Sequence, residues 1–243
     1  MNINVLTLFP EIIENYFNHS IGARAVKNGH FEIDVLNIRD FSKDKHSKVD
    51  DTPFGGGAGM LMMCQPLFDS VEFVKQKHPE TKIIYLSPKG RILDNKLARE
   101  MSGYDSLTFV CGHYEGVDQR FIDQMVDFEL SIGDYVLTGG ELAALVSIDA
   151  VMRFIPGVLG AEDVHQEESF EDLLLEYPQY TRPADYKGLK APEVLTSGHH
   201  AKIKKWQREK QLEETLQKRP DMLDKAELSK EDIKYLNKLK KKL

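Results

Sequence analysis

Two sets of residues in this 243-residue chain have the types and spacing for chemistry. The first is the run Ser131-Ile132-Gly133-Asp134-Tyr135-Val136-Leu137-Thr138-Gly139-Gly140-Glu141. It lacks the Gly-Lys-Ser/Thr ending of a phosphate loop and the Gly-x-Gly-x-x-Gly spacing of a dinucleotide fingerprint. Glycines there let backbone approach a ligand closely. A helix starting at the Gly-Gly-Glu end aims free N–H groups nearby. The expected ligand is small, held mainly by main chain, and not a triphosphate. The second set is Arg153 with the neighbouring carboxylates Glu167 and Glu168. An arginine on an apolar helix face usually makes a structural ion pair, but it can also stabilise developing negative charge. A positioned carboxylate can take a proton, although acids in a polar linker are ordinarily just solvated.

The elements that must position these residues alternate between strand and helix. Ile3–Phe9 reads as an apolar strand ended by Pro10, and 11–27 as a helix with Ile12, Ile13, Tyr16 and Phe17 on one face. Residues 31–38 alternate as a strand. A helix is predicted over 65–77. The near-continuous apolar runs 82–87 and 106–111 read as buried parallel strands separated by a helix over 95–101. Residues 140–154 form a further helix. Such alternation predicts an α/β fold with a parallel sheet, whose ligands bind beyond the carboxyl ends of the strands. Three glycine-containing loops lie there: Ser87-Pro88-Lys89-Gly90, Gly112-His113-Tyr114-Glu115-Gly116, and the run that ends at Glu141. One such loop would mean little, because turns need glycine anyway; three in series predict a pocket. A fourth run, Pro53-Phe54-Gly55-Gly56-Gly57-Ala58-Gly59-Met60, is either a surface loop or, through Phe54 and Met60, a stacking element for a flat group.

Charge divides the chain. The net charge is -7, yet residues 199–243 hold 14 Lys and Arg against 8 Asp and Glu, a balance of +6, which leaves -13 for the rest. This asymmetry predicts two regions with different partners. The polar, acidic stretch 160–169 is the expected linker, between a domain over 1–159 and a small helical domain over 170–243. Helices are predicted over 199–216 and 230–243. Ser197 is the expected N-cap of the first. Its start, followed by Lys202, Lys204, Lys205, Trp206 and Arg208, suits phosphate. His199 and His200 lack the spacing of a zinc site. No apolar run reaches the ~18 residues of a membrane span, and the N-terminus has no signal-peptide pattern. Cys64 and Cys111 sit in apolar contexts, as thiols of a reducing compartment do, so the cytoplasm is the expected location.

In order along the chain, Leu8-Phe9-Pro10, Val49-Asp50-Asp51, Gly55 to Met60, Leu86-Ser87-Pro88, Cys111 to Gly116, Ser131 to Glu141, Arg153 to Gly160, Tyr180-Thr181-Arg182-Pro183 and Ser197-Gly198-His199-His200 form one set. With them the chain resembles the bacterial tRNA (guanine-N1)-methyltransferases of the SPOUT superfamily. The resemblance implies a parallel sheet carrying a deep trefoil knot, a topology otherwise very rare, plus a small all-α C-terminal domain that clamps tRNA. It implies a homodimer with active sites at the subunit interface, and no membrane association. The implied methyl donor is S-adenosylmethionine; help from Mg²⁺ is left open. The implied donor contacts are Gly112, Ile132, Gly133, Asp134, Tyr135, Val136 and Leu137, completed by Tyr85, Leu86, Pro88, Glu115 and Gly140. The implied RNA contacts are Asp50, Phe54, Gly55 and Gly59, with Ser197, His199 and Lys202.

The implied reaction is methylation at N1 of the guanosine 3′ to the anticodon, with Arg153 stabilising charge on guanine. The family's general base is an Asp immediately before Ser-Phe. Here that position is Glu168, with Glu167 as the neighbour that could substitute. The carboxylate is one methylene longer, and misplacing a reacting group by about 1 Å can cost roughly 10²-fold. Phe54 stands where Tyr is common. The rival expectations are a related SPOUT enzyme acting on another nucleoside, which mass mapping separates, and a non-catalytic RNA-binding factor, which transfers no methyl group.

Overall fold

A computed structural model describes residues 1–160 and 168–241. The chain divides into two units, Met1–Glu162 and Asp163–Leu243. The first unit begins with β1 (Asn2–Thr7), α1 (Pro10–Phe17), α2 (Ser20–Lys27) and β2 (Glu32–Asn37), followed by a 3-10 turn. Then come β3 (Asp50–Asp51), β4 (Leu61–Met62), α3 (Cys64–Lys77), β5 (Lys82–Ile92), α4 (Asn95–Ser102) and β6 (Ser106–Val110). It closes with α5 (Gln119–Met125), β7 (Phe128–Ser131) and α6 (Glu141–Met152).

Five strands form one parallel sheet in the order β2-β1-β6-β5-β7. The apolar runs are continuous because both faces are covered. Ile3, Val5, Ile84, Leu86, Leu107 and Phe109 pack in one core with Ile13 of α1, Leu97 of α4 and Ile148 of α6. The alternate residues Leu6, Ile83, Tyr85 and Val110 pack in a second core with Leu67 and Val71 of α3 and Phe121 of α5. Every residue of β6 is buried, which makes it the spine of the unit.

Three local expectations are corrected. The helix predicted over 11–27 is two helices. His19 is extended and Ser20 has a positive φ of 58°. Gly22 lies so near the Phe17 ring that a Cβ there would be 3.1 Å from it. Pro10 does not end a strand; it starts α1, where its missing N–H costs nothing. Third, Ser87–Gly90 is not a loop after a finished strand. β5 runs on to Ile92, and Leu130 of β7 pairs with both Leu86 and Arg91, so the intervening residues bulge. A Cβ on Gly90 would sit 2.3 Å from the Leu130 nitrogen and 2.4 Å from the Glu129 carbonyl carbon. Only glycine allows this backbone-to-backbone approach.

The second unit contains a hairpin of β8 (Asp185–Tyr186) and β9 (Leu189–Lys190), then α7 (Glu193–Thr196), α8 (His200–Lys218), α9 (Pro220–Leu223) and α10 (Lys230–Lys240). The hairpin adds strand to the helices expected there. Leu174, Leu212 and Leu236 form a small core. Around it Arg208 donates through Nη2 and Nε to the Asp232 carboxylate at 3.0 and 3.3 Å. Asp232 also completes a capping box with Ser229 at the start of α10. Ser197 is not the N-cap of α8. It ends α7, and its hydroxyl accepts the His199 N–H at 3.2 Å.

Gly90→Ala should destabilise the first unit by at least ~2 kcal/mol, because the overpacked atom meets backbone and not a movable side chain. Urea denaturation followed by circular dichroism checks this; an unchanged midpoint would refute the close approach.

Candidate active site

A cleft opens at the bulge of β5 and the carboxyl ends of β6 and β7 and spans about 710 Å³, part of it open to solvent. Tyr85, Leu86 and Pro88 line it from β5, and Gly112 and Glu115 from the segment after β6. Ile132, Gly133, Tyr135, Val136, Leu137 and Gly140 line it from the segment after β7. Asp134 belongs to that segment but is exposed and is not part of the lining. The expected donor contacts did not include Ser87, His113, Tyr114, Gly116, Leu130, Ser131, Thr138, Gly139 and Ala143, which also line it. Most lay inside the glycine runs already singled out; Ala143 is one turn into α6, where composition gives no signal.

The walls converge because side chains are absent where they meet. The Gly140 N–H donates to the Gly112 carbonyl at 2.9 Å. A Cβ on Gly140 would lie 2.7 Å from Cys111 Cα, and one on Gly112 would lie 2.8 Å from the Tyr85 hydroxyl. α6 therefore starts at the cleft with its first-turn N–H groups near it. Glu141, only 4% exposed, occupies that first turn, where the helix end favours negative charge. Its Oε1 accepts the Thr7 hydroxyl at 2.7 Å, and its Oε2 lies 3.9 Å from His113 Nδ1. Burial, then the Glu141 charge, pushes the enclosed Cys111 thiol up, so it is not a nucleophile. Burial, then the Glu129 charge, raises Tyr85 to about 12. Its phenol stays protonated at any working pH.

The fourth glycine run is tied to the second cleft loop. The Glu115 N–H donates to the Met60 carbonyl at 3.0 Å, and the Met62 N–H to the Gly116 carbonyl at 2.9 Å. A Cβ on Gly59 would be 2.4 Å from the Glu115 side chain. Asp50 and Gly55 belong to the same strap, Asp50 half-buried and paired with Met62. Phe54 is 97% exposed, its ring open on the strap.

Arg153 is the C-cap of α6 and half-buried, where a cation suits the helix end. It stands at the opposite end of a 12-residue helix from the cleft, roughly 18 Å away at 1.5 Å per residue. Glu168, in the second unit, is half-buried, and its carbonyl accepts the Glu171 N–H at 3.4 Å. Glu167 lies outside the described residues. Ser197, His199 and Lys202 are exposed around the start of α8.

A family model described as tRNA (guanine-1)-methyltransferase TrmD matches residues 1–225. The chain belongs to this family. It is 56% identical over 236 residues to a tRNA (guanine-N(1)-)-methyltransferase of Caldanaerobacter subterraneus subsp. tengcongensis, covering 97% of each protein. It is 53% identical to the protein of the same name from Clostridium perfringens, over 97% of this chain and 99% of that one. The one from Geobacter sulfurreducens is 53% identical, over 96% of this chain and 95% of that one. The α/β fold with a central parallel sheet is consistent with this membership. Among the described residues, no three His, Cys, Asp or Glu side chains are grouped to hold a metal ion, and no helix is long and apolar enough to cross a membrane.

Thr7→Val should leave a buried carboxylate oxygen without its donor and cost roughly 1.5–3 kcal/mol. Chemical denaturation at neutral pH measures this; wild-type stability would contradict the Thr7–Glu141 contact.

Proposed function

We propose that this protein transfers the methyl group of S-adenosylmethionine to N1 of the guanosine 3′ to the tRNA anticodon. The observation that carries the reading is the cleft, in which eleven of the twelve residues expected to hold the methyl donor are brought together in a chain of this family. Its chemistry suits that molecule. Backbone groups of the Gly133 and Gly140 segments can bond adenine and ribose. Leu86, Ile132, Leu137 and Ala143 give an apolar wall, and the described lining residues include no Lys or Arg to meet a triphosphate.

Bound S-adenosylmethionine supplies an electrophilic methyl group on a sulfonium. Guanine N1 carries a proton at neutral pH and attacks poorly. Glu168 takes that proton as the N1–CH₃ bond forms and the S–CH₃ bond breaks, an assistance of roughly 10²–10⁴-fold. Arg153 stabilises the negative charge that spreads to O6. Phe54, exposed on its strap with Asp50, Gly55 and Gly59, offers a face for a base. The basic second unit, through Ser197, His199 and Lys202, binds tRNA phosphates.

A homodimer with active sites at the subunit interface is supported in two ways. In one chain the helix α6 holds Arg153 far from the cleft, so a second copy must bring an arginine to the methyl donor. Beside the cleft, α1 and α6 present exposed apolar residues: Ile12, and Leu142 with Val146 four residues later on one stripe. The deep trefoil knot belongs to this proposal through the resemblance to the family. The free thiols Cys64 and Cys111 suit the cytoplasm, where tRNA is modified.

Glu168→Gln and Arg153→Ala should each lower methyl transfer to a tRNA transcript at least 10²-fold, while calorimetry finds S-adenosylmethionine binding unchanged. Wild-type turnover in either variant would remove that residue from the mechanism. Gly133→Val, at a φ of 147° and with a Cβ 2.6 Å from the Tyr135 ring, should instead lose donor binding.

A further inference from the structure

Every residue from 179 to 190 is exposed. Most of this stretch is the β8–β9 hairpin and the chain leading into it. The turn is built by Lys187 and Gly188, both with positive φ (54° and 84°), the conformation of a two-residue hairpin turn matched to strand twist. The Gly188 N–H donates to Asp185 Oδ1 at 2.8 Å, and the Ala191 N–H to the Ala184 carbonyl at 2.8 Å. The finger is thus ordered by its own backbone, yet it buries nothing. Tyr186 is 59% exposed and Leu189 76%. Lys187 Nζ lies 5.3 Å from the Tyr186 ring centroid. The segment carries Arg182, Lys187 and Lys190 against the single carboxylate Asp185. Among the described residues, none of these three cations has a carboxylate partner. The chain enters the finger past Tyr180, whose ring lies 6.3 Å from Trp206 of α8, one helical turn beyond exposed Lys202.

We propose that this hairpin is an RNA-contacting finger. Tyr186 stacks on an unpaired base, and Lys187, Lys190 and Arg182 meet phosphates on either side. The inference rests on the tRNA reading above and extends it to a surface outside the expected contacts. An exposed ring between unpaired cations matches nucleic acid, whose bases all offer a π-face and whose backbone is uniformly negative. A protein-binding face would instead carry a contiguous apolar patch.

The test is fluorescence anisotropy of a labelled tRNA transcript against full-length protein over a salt series. Light scattering, thermal melting and S-adenosylmethionine titration are run on every variant. Lys187→Gln with Lys190→Gln should reduce the slope of log affinity against log salt by about 1.5. Tyr186→Ala should weaken binding about tenfold with the slope unchanged, and Tyr186→Phe should restore it. In methyl transfer, KM for tRNA should rise and kcat stay as in wild type. If the wild type methylates tRNA but all three variants bind it as tightly, the finger is refuted and the function stands. If the variants change the particle mass, the finger joins copies of this chain, and the proposal also fails. A wild type that neither binds nor methylates tRNA overturns both.

Discussion

The site depends on backbone passing backbone where side chains are missing. At the carboxyl edge of the sheet, the end of β5 crosses β7 at Gly90, and the start of α6 sits on Cys111 and Gly112 through Gly140. A single methyl group at either crossing would lie under 3 Å from main-chain atoms. These contacts draw the β5 bulge and the segments after β6 and β7 into one cleft. Main chain cannot change its donor and acceptor pattern, so a ligand held this way is recognised by shape and by fixed dipoles. That suits a cofactor that must be gripped without a charged clamp.

Around that constraint, charge is set out by helix ends. α6 begins with buried Glu141, held by Thr7 and facing His113, and ends with Arg153. Each charge complements its end of the helix. The same arrangement keeps the arginine away from the cleft that its own helix opens. Under the role proposed for Arg153, that separation calls for a second subunit, and the exposed Leu142 and Val146 on the helix offer it apolar surface.

Much of this could be read from the sequence because the signals are local. The apolar runs of β1, β5 and β6 are nearly continuous, as burial on both faces demands, with buried Asn4 and Thr108 among the polar exceptions. The glycine runs fall after them, and the basic residues gather near the end of the chain. What could not be read depends on distant partners. Gly90 looks like any turn glycine; its meaning lies in Glu129 and Leu130, some forty residues on. The break between α1 and α2 lies at His19 and Ser20, whose backbone leaves helical geometry with no signal in the residue types. Ser197 has the chemistry of a helix cap, but its turn belongs to the preceding helix. The two-residue strands of the finger are too short for any periodicity. The roles proposed for Arg153 and Glu168 rest on the ordered motifs alone, since neither residue type nor spacing marks a carboxylate near a linker as a base.

The central claim is that the glycine-built cleft is where the methyl donor binds. Amide hydrogen exchange with and without S-adenosylmethionine tests it most directly, because ligand binding slows opening of the backbone that holds it. The account predicts added protection in residues 85–88, 112–116 and 131–140, with no change in 200–240. Protection absent from all three segments, or centred on the second unit, would contradict it.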